Sequence, residues 1–518
     1  MLGETAEISR TLQDYNRPFC GNAAGNLLDW VETMFDAKSY WLSRAVFQTG
    51  LALVYLIAFV CALNQFLPLL GEHGLLPAPD FIKQVPFREA PSLFYFYPKD
   101  VAFVSAAVAG ILLSAFAATG LSERSGNWVS MPVWSLLWIL DLSFVNVGQE
   151  FYAFGWESIL LEAGFFAIFL GSRKFEPSRI VLWLLRWLEF RVMFGAGLIK
   201  LRGDPCWRDY TCLDFHYETQ PMPNGLSYTF HWGSNWMHRL GVGFNHVAEL
   251  IVPFGYFLPQ PAAGLAGIVT ILFQAFIMAG GNFSFLNVLT MVLALPLLND
   301  RFFAIMLPFK PAKVIAPSVV WRLGTAILAV VVMFLSINPI RNMVSSRQVM
   351  NTIYNPLHLV GTYGAFGSIS RTRNEIIIVG TDESVITPAT NWKEYEFYGK
   401  PGDLSRTPPQ IAPYHLRLDW EMWFAAMSDY SENPWFSHLI EKLLLADPAT
   451  INLIRNDPFG YKRPHFIKAD LYEYHFTTEY DRQQTGLTWN RKFLNSYMPP
   501  VSLDTPDFRR VLTQQGWK

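Results

Sequence analysis

The chain has 518 residues, 51% of them hydrophobic and only 16% charged, against about 25% charged in an ordinary soluble domain. That composition excludes a simple soluble globule and predicts a membrane protein. A net charge of −2 excludes wholesale nucleic-acid binding, which needs a basic excess on one face. Four cysteines in this length exclude a small disulfide-stapled scaffold.

Residues 1 to 44 are polar, but Leu27, Leu28, Trp30, Val31, Met34 and Phe35 share one helical face opposite Asp29, Glu32 and Asp36. This predicts an amphipathic helix on the membrane surface or against the bundle, and its acidic polar face favours protein over anionic lipid. The N-terminus lacks the short apolar region and cleavage site of a signal peptide, so the first membrane helix is expected to be the targeting signal.

Nine apolar runs follow, at 45–69, 101–121, 129–147, 157–171, 179–201, 243–259, 261–280, 282–299 and 315–337. Each approaches the about 20 residues that cross a bilayer, with the fourth and sixth short. Eight or nine spans are expected. Arg124, Arg173, Lys174, Arg179, Arg301, Lys310 and Lys313 fall in loops on one side, which the positive-inside rule makes cytoplasmic along with the N-terminus. The loop at 71–100, with Lys83, Arg88 and Lys99, is the exception. Loop 202–242 and everything after residue 338 then share the non-cytoplasmic side.

Beyond residue 338 the pattern changes. NEIIIVG (374–380), WKEYEFYG (392–399) and the alternating end of 458–478 read as strands. DWEMWFAAMSDY and PWFSHLIEKLLLAD read as helices, the second entered through Asn433 and Pro434. The expected architecture is a multi-pass α-helical membrane bundle, 45–337, followed by a soluble, β-rich α+β domain, 338–518. No internal repeat is visible, which disfavours a transporter built from inverted halves.

The stretch 189–224 concentrates the chemistry. Lys200 ends an apolar helix, where partial desolvation could make its amine a base or nucleophile, or where it could simply snorkel to the interface. Glu189 and Arg191 on that helix, with His246 and Glu249 on the next, could form a polar seam, either a static ion-pair network or a proton relay, and Asp141 and Glu162 could join it. The loop beyond carries Arg202, Asp204, Trp207, Arg208, Asp209, Asp214, His216, Glu218 and Gln220. Cys206 and Cys212, six positions apart, could be a bridge or two buried thiols; the C-x-x-C spacing of a redox pair is missing. His415, Asp419, His465 and His475 lack any nucleophile signature around them and read as core or solvated groups. No metal-ligand spacing is present, and neither metal nor cofactor is expected.

The strings FRVMFGAGLIKLRGDPCWRDYTCLDFHYETQPMPN, NHVAELIVPF, TYGAFGSISRTRNEIIIVGT, PYHLRLDWEMWFAA and NPWFSHLIEKLL, together with YWLSR and GLLPAPDF, closely resemble the lipase maturation factor family over almost the whole chain. The resemblance implies a multi-pass membrane protein, resident in the endoplasmic reticulum of animals, that assists folding and assembly of secreted homodimeric lipases through a luminal C-terminal domain. Compact ends and a single sequon, Asn282-Phe-Ser, too close to a membrane helix for use, leave open a bacterial member in an inner membrane, with other secreted clients. GAGLIKL followed by Trp-Arg-Asp is also similar to the membrane module of vitamin K-dependent γ-glutamyl carboxylase, which would make Lys200 a base. The leading expectation is a folding factor, not an enzyme, receiving its client on aromatic surface drawn from Trp392, Tyr395, Phe397, Trp420, Trp423 and Phe424. The alternative is a membrane enzyme using Lys200 with Glu189, His246 or Glu249 on a lipid-soluble substrate.

Overall fold

The computed structural model describes residues 37–304 and 314–514; the amphipathic helix expected at 27–36 and the Lys310 and Lys313 charges lie outside them. The first helix, α1 (Trp41–Leu70), is 30 residues long, about 45 Å at 1.5 Å per residue, and exceeds the roughly 30 Å of bilayer hydrocarbon. Its opening turn has no capping side chain of its own. Asp300 supplies one from 257 to 259 residues away, its carboxylate accepting from the backbone N–H groups of Trp41, Leu42 and Ser43 at 3.1, 2.9 and 3.1 Å. Three orphan donors of the helix end are thereby satisfied next to a favourable negative charge.

α2 (Asp100–Ala118) packs along α1, and its Gly110 is required there: an added Cβ would stand 2.4 Å from the Phe59 ring. α3 (Asn127–Val147), α4 (Gly155–Leu170) and α5 (Arg179–Arg202) complete the first half of the bundle. Ser178 caps α5 by accepting from Val181 N. After three short helices in the polar loop, α6 (Asn235–His246) runs into a π-helical turn, Val247–Ile251, and a 3-10 segment, Val252–Phe257. α7 (Ala262–Gly280), α8 (Leu286–Ala294) and α9 (Val319–Leu335) follow.

Among the described residues five helical stretches are long and apolar enough to cross a membrane: 37–70, 100–118, 127–147, 262–280 and 319–344. The remaining expected spans fall short for physical reasons. α4 has only 16 residues. α5 is long enough but carries Arg186, Glu189, Arg191 and Lys200, all buried among the other helices. The run at 243–259 changes helix type twice. The run at 282–299 holds just the short apolar helix Leu286–Leu297.

In the C-terminal part, β1 (Arg373–Thr381), β2 (Lys393–Glu394), β3 (Phe466–Phe476) and β4 (Trp489–Val501) form one antiparallel sheet in the order β2-β1-β3-β4. Ile377 faces Asp470 across β1 and β3, and Tyr472 faces Phe493 across β3 and β4. β1 is buried along almost its whole length. The strand expected over 392–399 is a strand at Lys393 and Glu394 alone, after which Glu396 leaves the sheet for an isolated antiparallel bridge with Asn456; β4 has no clean alternation in its sequence. α10 (Arg417–Ala425) and α11 (Pro434–Leu444), with Pro434 in its first turn, match the two expected helices.

Candidate functional site at the junction of bundle and C-terminal domain

Lys200 is buried near the end of α5 and is not a snorkelling residue. Its ammonium donates to Glu249 Oε1 at 2.6 Å and to Asn245 Oδ1 at 2.9 Å, lies 5.0 Å from the Trp207 ring centre, and Asn245 Nδ2 donates to the other Glu249 oxygen at 3.1 Å. The π-helical turn brings Glu249 into position, a use of such turns common at functional sites. Gly197 lets the two segments meet, since a Cβ there would stand 2.9 Å from Glu249 Cβ.

The other members of the expected seam go elsewhere. Glu189, eleven residues or about 16 Å back along α5, is fully buried, and neither carboxylate oxygen has a hydrogen-bond partner among the described residues. His246 binds the Trp207 carbonyl at 2.9 Å rather than Lys200. Arg191 pairs with Glu162, which also accepts from Tyr363 Oη at 2.8 Å, while Arg191 Nη1 donates to Gly361 O at 2.7 Å. Asp141 is buried apart from both pairs. The seam is therefore two separate ion pairs and two acids outside them, Glu189 and Asp141, not one relay.

The charged loop turns out to be a seam of a different kind, stitched to the C-terminal domain. Asp204 takes both guanidinium nitrogens of Arg371, at 2.7 and 3.0 Å, and this pairing pulls its carboxyl down to about 2. Trp207 Nε1 donates to Phe366 O at 2.8 Å. Glu218 accepts from Phe476 N at 2.6 Å and contacts His475 at 3.2 Å. Arg373, buried on β1, donates to the carbonyls of Glu218, Gln220 and Pro221 and pairs with Glu375, whose other oxygen lies 3.0 Å from Lys400. Gln220 donates to Ser227 Oγ and Gly280 O.

Within the loop, Asp214 binds His238 at 2.7 Å, and Arg208 donates to Leu201 O at 2.9 Å. Arg202 reaches Gln348 at 2.8 Å, His216 lies against Phe366 and Phe283, and Asp209 is exposed. Cys206 and Cys212 are bonded to each other, their Cα atoms 4.8 Å apart. The charge density that drew attention as a site is used mostly for docking.

A second docking contact was invisible in the sequence. Arg417, at the start of α10, is buried against Glu157 of α4 at 2.7 Å, donates to Phe151 O at 2.6 Å and stacks over the Tyr152 ring. Gln65 of α1 donates to His415 O and accepts from Arg417 N. A charge at Glu157 within so apolar a run needs a partner, but nothing in the sequence names Arg417 as that partner.

Between the bundle and α10 lies a cavity of about 550 Å³. Lys200 and Glu249 lie on its bundle side, Trp420, Glu421, Trp423 and Phe424 on its α10 side. Of the aromatic candidates, Tyr395, Phe397 and Trp420 are core: Tyr395 packs on Phe459, Phe397 lies beneath Lys400, and Trp420 meets Trp156 at 5.0 Å. Trp392 and Trp423 are half-buried and Phe424 is exposed.

Burial, with Glu150 nearby, pushes the Glu421 carboxyl up to about 8. The folded state therefore holds a proton that the unfolded chain releases above about 4.3, and stability contributed below that value is lost as pH rises towards 8. The buried histidines His415, His438 and His358, all pushed down to about 4 by burial, work in the opposite sense below about 6.5. Between pH 6.5 and 8 Glu421 acts without them, and thermal stability should fall by about 2 kcal/mol. Unfolding scans across that window should show a decline about 2 kcal/mol smaller in Glu421→Gln than in wild type; an equal decline in the variant would assign it to another group.

The family model described as the lipase maturation factor transmembrane domain matches residues 42–305, and that of the lipase maturation factor C-terminal domain matches 359–499. The chain belongs to the lipase maturation factor family. Lipase maturation factor 1 of Homo sapiens is 42% identical over 516 residues, covering 92% of this chain and 91% of that one. The Bos taurus protein of the same name is 40% identical over 525 residues, covering 93% and 92%. Lipase maturation factor 2 of Xenopus laevis is 28% identical over 609 residues, covering 92% and 85%. No solved structure matches the chain. The carboxylase-like alternative finds no support in these family members, and in the structure the Lys200 amine is held by Glu249 and Asn245.

Proposed function

We propose that this chain is a membrane-embedded maturation factor that assists folding, assembly and secretion of lipases or related secreted clients. The observation that carries the reading is the 42% identity to human lipase maturation factor 1 across nine-tenths of both chains. The geometry supports a scaffold: the C-terminal domain is fixed to the bundle by the buried Arg417–Glu157 pair and by the Arg373 contacts to the polar loop, and Lys200 is spent on an ion pair within the bundle. Counting the shorter helices shielded inside the five long ones, the bundle makes eight or nine passages, with the N-terminus cytoplasmic. The Cys206–Cys212 bond supports placing the loop and the C-terminal domain on the oxidising side, the lumen of the endoplasmic reticulum in a eukaryote or the periplasm in a bacterium. Phe424, with Trp423 5.0 Å away, and Trp392 are the candidate client contacts left open by burial. Membrane lipid is the other partner; no nucleic acid is expected.

The test is rescue of active secreted lipase in cells lacking their own maturation factor, at equal expression. Wild type should rescue. Lys200→Ala strands the Glu249 charge and should cost about 3–5 kcal/mol of stability. The double variant Lys200→Gln/Glu249→Gln, which removes both charges and keeps hydrogen-bonding groups, should rescue like wild type. A folded double variant that fails would move the reading towards chemistry at Lys200, and failure of wild type itself would exclude lipases as clients.

A further inference from the structure

The cavity between the bundle and α10 has a lining that selects a ligand. Its walls are apolar side chains from helices on the membrane side, including Ile159, Val192, Met193, Ile277 and Leu286. Its deep end holds two amides in contact, Asn287 Nδ2 donating to Gln274 Oε1 at 2.7 Å. Among the described residues that line it, four bear a carboxyl or an amine: Glu150, Lys200, Glu249 and Glu421. Three are acids, and the single cation is already neutralised by Glu249 at 2.6 Å. An anionic head group finds no free counter-charge.

Glu421 is only 7% exposed, lines the cavity and takes part in no hydrogen bond or ion pair among the described residues. A buried carboxyl without a partner is costly unless something satisfies it. Its raised affinity for a proton, already described, equips it to donate to an oxygen. The exposed residues Ala153, Met350, Asn351 and Phe424 mark the mouth.

Size separates the possible occupants. Two turns of a client helix, a cylinder about 10 Å across and 11 Å long, need roughly 850 Å³ before side chains are counted at full reach. The cavity of about 550 Å³ is too small for that and lies within the about 300–1,000 Å³ of small-molecule sites. We propose that this cavity binds a neutral single-chain amphiphile, with its chain along the α4, α5 and α8 walls and an ester or hydroxyl oxygen against Glu421. The site is independent of the lipase reading, since it is assayed by binding alone.

The experiment uses the full-length protein in lipid nanodiscs with three photoactivatable probes carrying a diazirine in the chain: a monoacylglycerol, a fatty acid and a long-chain amine. Crosslinked peptides are mapped by mass spectrometry. The monoacylglycerol should label α5 and α10 peptides around Met193 and Trp423, at least five-fold more than the fatty acid or the amine. Ala196→Phe, which fills the cavity, and Glu421→Ala should each cut that labelling at least five-fold, whereas Glu421→Gln, which keeps a donor, should retain it. Where Ala196→Phe fails to fold, the Glu421 pair decides. Equal labelling by the charged probes would overturn the neutral head group. Crosslinks confined to lipid-facing α9 residues such as Leu323 and Ile327, or undiminished in Glu421→Ala, would overturn the site.

Discussion

Arg417→Ala should undock the C-terminal domain from the bundle, at a cost of about 3–5 kcal/mol, the range for breaking a buried ion pair from one side. The substitution leaves Glu157 fully buried without its countercharge, leaves the Phe151 carbonyl without its donor, and empties the face of Tyr152. Thermal unfolding in detergent should shift down by several degrees, and protease should cut the segment joining α9 to β1 far faster. Arg417→Met combined with Glu157→Gln, which removes both charges and keeps volume, should recover most of the loss. A single variant within 1 kcal/mol of wild type would show that the pair contributes little to docking.

Arg373→Ala is expected to be comparably severe and to act on the polar loop. One side chain holds the carbonyls of Glu218, Gln220 and Pro221 and the Glu375 carboxylate, so its removal orphans buried acceptors on two segments at once. Hydrogen exchange over residues 213–223 should rise by at least ten-fold. Arg373→Lys should restore little, because an ammonium lacks the planar fork that reaches several acceptors together. Exchange that stays at the wild-type rate would mean that the loop is fixed by Asp204–Arg371 and the Trp207 contact instead.

Much of this architecture is legible in the amino-acid sequence. Apolar runs of bilayer length marked the five long helices because membrane insertion is governed by composition over a window. β1, β3, α10 and α11 were legible from alternation and spacing, which are local properties. The same locality explains what was missed. The 243–259 run reads as apolar enough for a span, yet it passes through a π-helical turn and a 3-10 segment, and that turn brings Glu249 to Lys200, a residue 49 positions earlier. β4 contains Pro499 and Pro500 and pairs with irregular register, so no period of two announces it.

At the site, residue types were informative and partners were not. Lys200, Glu249 and the polar loop stood out because charges beside apolar helices need compensation. Which charge compensates which is a matter of long-range geometry: Arg191 turned to Glu162 rather than to the acid two residues before it, and Arg417 found Glu157 across the domain junction. Aromatic residues misled for a related reason. Tyr395, Phe397 and Trp420 have the chemistry of contact surface, but the same rings fill cores equally well.

The Asp300 cap on α1 sets an order of events during biosynthesis. Its three acceptor contacts reach residues 41 to 43 from the far end of the bundle, and at about 5–20 residues per second the ribosome needs roughly 10 to 50 seconds to deliver the carboxylate after the helix has emerged. Until then the opening turn of the first span must be hydrated, and the completed bundle closes on itself only when its last inner helices arrive. A membrane protein of this family thus has a waiting step in its own assembly.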